Sequence, residues 1–204
     1  MCSYTSRIVT IDPGVKVDQN EDSADSTITI HEGVLRQHSP FFRAMLDKHW
    51  KEGGTGVVNM PEDRSDVLIA YVNWLYTNVI PPFTTGPSDD YGRLARLYVF
   101  GEKIQDDAFC DQVTTVIAKG FDSFNYRPSP TTTNLIYSGT PAGSPIRQLL
   151  VETYSAQSLE DWFDEDCLYN AEFMNDLAKQ FVRDRGQVKT KSWHDQRSKW
   201  FKQK

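Results

Sequence analysis

An α+β fold is predicted, on three observations. Short β-branched runs of strand length fall at Arg7–Ile11, Thr27–Ile30 and Val57–Met60. Beyond residue 66, apolar residues recur at helical rather than alternating spacing. Ser-Pro stands at 39–40, 129–130 and 144–145, a helix N-cap followed by the residue best tolerated at the first helical position.

The elements follow in order. The first strand is closed by the turn signal Asp12-Pro13-Gly14, with Val15 and Val17 placed to extend it. An acidic loop over 19–26 then joins it to the second strand, giving a hairpin. A short helix through His31–His38 follows, and Ser39-Pro40 starts another, whose apolar stripe is Phe41, Phe42, Met45 and Leu46. The glycine-rich stretch 51–56 leads into the third strand, which Pro61 ends. Asp63 or Ser65 caps a helix from Asp66 to about Tyr76, with Leu68, Tyr71, Val72 and Leu75 on one face. Trp74 and Val67 widen that face, which implies burial on more than one side.

A loop over 77–90 precedes a helix carrying Tyr91, Leu94, Leu97, Tyr98, Gly101 and Ile104 on one side. Asp106 or Asp107 caps the next, which carries Phe109, Val113, Val116 and Ile117 and ends at Gly120. Residues 122–145 read as a hinge with a short helix capped by Ser129. Ser144 starts a further helix with Ile146, Leu149, Leu150 and Thr153 inward. Ser158–Asp161 is a weaker start, ahead of Trp162 and Phe163. The last amphipathic helix carries Phe173, Met174, Leu177, Ala178 and Phe181.

The composition is that of an ordinary folded protein: 39% hydrophobic residues are too many for a wholly disordered chain. The net charge of −6 divides unevenly, into +6 from Arg183 onward and −12 before it. Cys2, Cys110 and Cys167 are odd in number and widely spaced, which argues against a disulfide framework or a zinc finger. No signal-peptide pattern and no apolar run of membrane-spanning length is evident, so the expected setting is the reducing cytosol or nucleus.

The glycine-rich stretch leads into a strand rather than through Gly-Lys-Ser/Thr into a helix, so it reads as a turn and not a phosphate loop. His31 and His38 lie on either side of Gly33 with no convergent Cys or carboxylate pair, which gives no metal site. Ser39 beside His38 has no third group to make a nucleophile, and its capping role accounts for it. Asp164, Glu165 and Asp166 read as solvated charge. No catalytic residue, cofactor site or metal site is expected.

The succession His31-Glu32-Gly33-Val34-Leu35, Ser39-Pro40-Phe41-Phe42-Arg43-Ala44, Met60-Pro61-Glu62 and Trp74-Leu75-Tyr76-Thr77 resembles the BTB/POZ domain. Leu97–Gln105 resembles the next helix of that family. The pieces stand in order across residues 7–120, and the whole is most similar to the short BTB proteins of filamentous fungi. Residues 130–184, with Tyr137-Ser138-Gly139-Thr140-Pro141 and Ser144-Pro145-Ile146-Arg147, resemble the helical extension of that group. The resemblance implies a small three-stranded sheet with a helical cluster, a role in protein–protein binding, and neither catalysis nor a cofactor. It departs from the pattern where many members carry an Asp at the first strand, since Ser6 and Arg7 stand there.

Members that recruit a cullin ubiquitin-ligase scaffold carry a hydrophobic-x-Glu motif after the Ser-Pro helix. Here Trp50 takes the hydrophobic position and Glu52 the acidic one, with Lys51 between and Met45 on the preceding turn. The expected partner is therefore a protein, either a cullin scaffold or a second copy of the chain. The other reading of Trp50 is that it covers the domain's own core. The basic segment, with Lys189, Lys191, Arg197 and Lys199 among Trp193, Trp200 and Phe201, offers an alternative as a nuclear or nucleic-acid-associated scaffold. The expected division is 1–125 as the BTB/POZ domain, 126–184 as the helical extension and 185–204 as a basic tail.

Overall fold

A computed structural model describes residues 5–15, 27–51, 54, 56–81, 87–123, 128–163 and 168–186, with the side chains of 49–51, 87–89 and 161 outside that set. The fold is α+β: a three-stranded mixed sheet and eight α-helices among the described residues. Strand β1 (Ile8–Val15) lies between β2 (Ile28–His31) and β3 (Val57–Arg64). It pairs antiparallel with β2, Val9 opposite Ile30, and parallel with β3, Ile11 opposite Val58. Val9, Ile11, Ile28, Ile30, Val58 and Met60 alternate with exposed neighbours and bury one face of the sheet.

Two punctuation signals mislead here. Asp12-Pro13-Gly14 does not turn the chain, and Pro61 does not end a strand; β1 runs to Val15 and β3 to Arg64. The register shifts between Pro13 and Val15, where the two backbones come close. A Cβ on Gly14 would lie 1.8 Å from the Pro61 carbonyl oxygen, so Gly14 is required by proximity. Pro61 is tolerated because β3 is an edge strand.

Helices α1 (Glu32–His38) and α2 (Pro40–Lys51) follow β2 directly. After β3 come α3 (Ser65–Thr77), α4 (Pro87–Ile104) and α5 (Asp107–Ser123). Pro87 begins α4, so the preceding loop is shorter than the sequence reading, and α5 continues past Gly120 to bury Phe121. Tyr71 of α3 is the centre of the helical core. Its ring stacks near Phe42 of α2 (6.2 Å between centroids) and meets Phe100 of α4 and Phe109 of α5 edge-on at 5.4 and 5.0 Å. Its hydroxyl donates to the buried Asp106 carboxylate at 2.8 Å.

Asp106 also caps α5 by accepting from the Phe109 N–H at 3.1 Å. Neither Asp63 nor Ser65 caps α3. Asp63 instead accepts from Lys103 Nζ, and Arg64 occupies the N-cap position without a side-chain bond.

Helices α6 (Pro130–Gly139), α7 (Pro145–Gln157) and α8 (Ala171–Asp184) complete the described chain, with a 3₁₀ turn at Glu160–Phe163. Ser129 caps α6 through the Thr132 N–H, as its spacing predicts. Ser144 does not cap α7 with its side chain; its hydroxyl donates to Glu102 Oε1 at 2.7 Å and ties α7 to α4. The inner face of α7 is also rotated from the expected one. Ile146 and Leu150 are buried, but with Arg147, Val151 and Tyr154 rather than Thr153.

Arg147 explains the rotation, because its fork fills a set of acceptors that no apolar residue could satisfy. Nη2 donates to the carbonyls of Tyr137 (2.5 Å) and Thr140, Nε to Thr140 Oγ1 (2.9 Å) and Nη1 to Glu172 Oε2 (2.8 Å). The guanidinium lies 4.4 Å over the Tyr137 ring. One side chain thus joins α6, α7 and α8.

Three stability changes are expected. Gly14→Ala forces β1 and β3 apart and should cost about 2 kcal/mol or more in urea denaturation. Arg147→Lys keeps the charge but loses the fork, and should cost about 2–4 kcal/mol by the same measurement. Burial, the foremost cause, raises the Asp106 carboxyl above its usual value of 3.8, against hydrogen bonds from Phe109 and Tyr71 that lower it. The folded state therefore holds that proton more tightly than the unfolded chain, and the favourable contribution fades as pH rises through the folded value. Asp106→Asn keeps an acceptor at the cap. Its stability relative to wild type should grow from pH 4 to pH 7; a constant difference in urea midpoint across that range would contradict the assignment.

Candidate interaction site

The site expected from the sequence lies at the end of α2, so the anchoring of that helix comes first. Ser39 accepts from the Phe42 N–H at 3.2 Å and donates its hydroxyl proton to the Ile104 carbonyl at 2.6 Å. It therefore caps α2 and fastens its start to the end of α4. Phe42 and Leu46 are fully buried, whereas Phe41 and Met45 are half-buried and pack against the core. The expected stripe is thus core on one side and a margin on the other.

Charged groups fix α1 and α2 to each other and to β1. Glu32, buried, accepts from Arg7 and from Arg36 Nε at 2.5 Å. Arg36 Nη1 reaches on to Asp47 of α2 at 2.5 Å. Arg43 of α2 returns two hydrogen bonds to the Arg36 carbonyl, at 3.2 and 3.0 Å. Burial by itself would raise the Glu32 carboxyl, but the hydrogen bonds from Arg36 and Arg7 outweigh it and hold the group below the ordinary range.

Ser6 accepts from the Gly33 N–H at 2.8 Å. Ser6 and Arg7, the two residues that depart from the resembled pattern, are therefore occupied within the chain, holding the start of α1. The Glu32-to-Arg36 spacing is the i, i+4 signal that could have disclosed half of this network; the long-range arms to Arg7 and Asp47 carry no local signal.

Of the residues expected to meet a partner, Met45 is placed as a half-buried side chain on the margin of α2. The helix runs to Lys51, so Trp50 and Lys51 belong to its last turn rather than to the loop beyond. Their side chains, and the whole of Glu52, lie outside the described residues, as do Asp164, Glu165 and Asp166. Five helical residues turn about 140° around the axis, so Met45 and Trp50 do not share one face of α2. The exposed positions around Met45 are Arg43, Ala44, Asp47 and Lys48, a mixed polar rim.

His31, expected to be structural, has its ring nitrogen Nδ1 2.8 Å from the Tyr76 hydroxyl, and its backbone N–H donates to the same oxygen. His38 packs edge-on to Trp74 at 5.4 Å. Cys110 is buried, and burial together with Glu102 and Asp106 pushes its thiol up to about 12. Such a thiol stays protonated at neutral pH and is a poor nucleophile. Among the described residues no group of three His, Cys, Asp or Glu is placed to hold a metal ion, and no helix is long and apolar enough to cross a membrane.

No family model matches the chain. The chain is similar to a BTB/POZ domain-containing protein of Arabidopsis thaliana, with 37% identity over 76 residues. That match covers 37% of this chain and 30% of the plant protein, so the chain spans under a third of the relative it matches.

Proposed function

We propose that this chain is a protein-interaction module of the BTB/POZ type. Its helical extension, residues 126–184, packs behind a domain formed by residues 1–125. The observation that carries the reading is the similarity to a BTB/POZ domain-containing protein, joined to a small three-stranded sheet in which α1 and the Ser39-capped α2 stand between the second and third strands.

In its sharper form the chain is a substrate adaptor for a cullin-type ubiquitin ligase. The end of α2 meets the scaffold: Trp50 supplies the apolar anchor, Glu52 fixes orientation through charge, Lys51 stands between them, and Met45 contributes only at the margin, from another face of the helix. A buried aromatic anchor of this kind contributes about 2 kcal/mol or more to an interface. The rigid start of α2, held by Ser39 and Arg43, supports this use, because a preorganised helix loses little freedom on binding.

The test is capture of a purified cullin scaffold by the full chain, beside a Trp50→Ala, Glu52→Ala double variant. The wild type should bind, and the double variant at least about 20-fold more weakly. Absence of binding in both, or equal binding in both, removes the adaptor role. Molar mass from light scattering then distinguishes a module that docks a different chain from one that pairs with itself.

A further inference from the structure

A cavity of about 130 Å³ lies where the end of β3 and the start of α3 meet α4 and α6. Its apolar wall comes from Val67 of α3, Val99 and Phe100 of α4, and Leu135 of α6. Three cations also line it: Arg64, Arg96 and Lys103.

Two of these cations are already paired. Lys103 Nζ donates to both oxygens of Asp63, at 3.0 and 2.8 Å. Arg64 donates through Nε and Nη2 to the two oxygens of Asp66, at 3.0 and 2.9 Å. Arg96 is different. It forms no ion pair among the described residues, and its Nε is buried without a hydrogen-bond partner there. Burial first, and the like charges of Arg64 and Arg93, hold its guanidinium below the usual arginine value, against an opposing pull from Asp66. A half-buried cation left without an acceptor costs free energy. Nothing inside the described chain offsets that cost, which points to an acceptor from outside.

We propose that this cavity binds a small carboxylate bearing an apolar group, with the Arg96 fork on the carboxylate and Val67, Val99, Phe100 and Leu135 around the apolar group. The planar fork of arginine matches a carboxylate in two parallel hydrogen bonds. One unpaired positive charge suits a monoanion. A phosphate dianion would meet the carboxylates of Asp63 and Asp66 close by. The size sets the rest. The cavity is well below the roughly 300–1,000 Å³ of sites for drug-sized ligands, so it takes a fragment: one carboxylate and one short apolar group. A free acid and the C-terminal residue of a peptide both present that chemistry. The proposal does not depend on the adaptor reading, since the end of α2 contributes nothing to the cavity.

The test is an NMR titration of the full, nitrogen-labelled chain with N-acetyl-leucine, and with N-acetyl-leucinamide as its uncharged counterpart. The Nε–H resonance of Arg96 and the backbone amides of Val99 and Leu135 should shift saturably with the acid. The midpoint should fall in about the millimolar range expected for so small a ligand. The amide should bind at least about tenfold more weakly, a comparison that needs no variant. Arg96→Met keeps the apolar stem and should weaken the acid by a similar factor. Its urea midpoint without ligand should stay equal or rise, because an unpaired charge has been removed. Shifts that do not saturate, equal shifts from acid and amide, or undiminished acid binding in Arg96→Met overturn the proposal. So does inorganic phosphate binding with the same midpoint as the acid. A short peptide ending in leucine separates the two sources within the proposal. Tighter binding than N-acetyl-leucine assigns the cavity to a chain terminus, and equal or weaker binding assigns it to a free acid.

Discussion

The packing of Tyr71 is the constraint on which the helical body depends. Its ring lies between α2, α4 and α5, and its hydroxyl is satisfied by a carboxylate that also caps α5. A buried phenol without that acceptor would cost about 1–3 kcal/mol. The pair Tyr71–Asp106 therefore couples the packing of α2, α3 and α4 to the start of α5. Trp74, one turn on, stacks at 6.0 Å from Tyr71 and lies 5.0 Å from Phe109, which extends the same cluster towards His38 of α1. The start of α2 is thereby joined to the same cluster through Phe42.

Around that centre the chain uses polar groups as fasteners between elements that apolar packing alone would leave free to slide. Ser39 joins α2 to α4, Ser144 joins α7 to α4, and Arg147 joins α6, α7 and α8. Each is buried, and each answers backbone or carboxylate acceptors that need a donor. Apolar contacts are non-directional, whereas these bonds select one arrangement. The same logic holds at the sheet, where Glu32 draws Arg7 of the β1 entry and Arg36 of α1 together. The helix pair of the candidate site is therefore set by charge at the sheet and by Phe42 against the helical core.

The two ends of the described body differ in how they meet solvent. The margin of α2 presents Met45 among charged neighbours, a small apolar spot of the kind most surfaces carry. The flank of α8 beside its buried face leaves Met174, Phe181 and Val182 partly exposed, a larger apolar patch.

The sequence by itself determined the class of fold, the helix starts at Ser39 and Ser129, and the buried faces of α3 and α4, and it narrowed the cap of α5 to Asp106 or Asp107. Those features are local: a cap is a bond across three residues, and helical or strand periodicity shows in a dozen. Of the candidate site, sequence located Met45, Trp50, Lys51 and Glu52 along the chain, and the structure set Met45 on the margin of α2. Tertiary structure alone decided the rest. Pro13, Gly14 and Pro61 read as breaks, because nothing local reveals that β3 would be an edge strand lying against Gly14. Ser144 reads as a cap, but a carboxylate 42 residues away claimed its hydroxyl. Arg147 carries no local signal of its burial, because its four acceptors come from two other helices and a turn. Met174, Ala178 and Phe181 read as core, because periodicity counts apolar residues on a helix but cannot say how many of its sides will be covered.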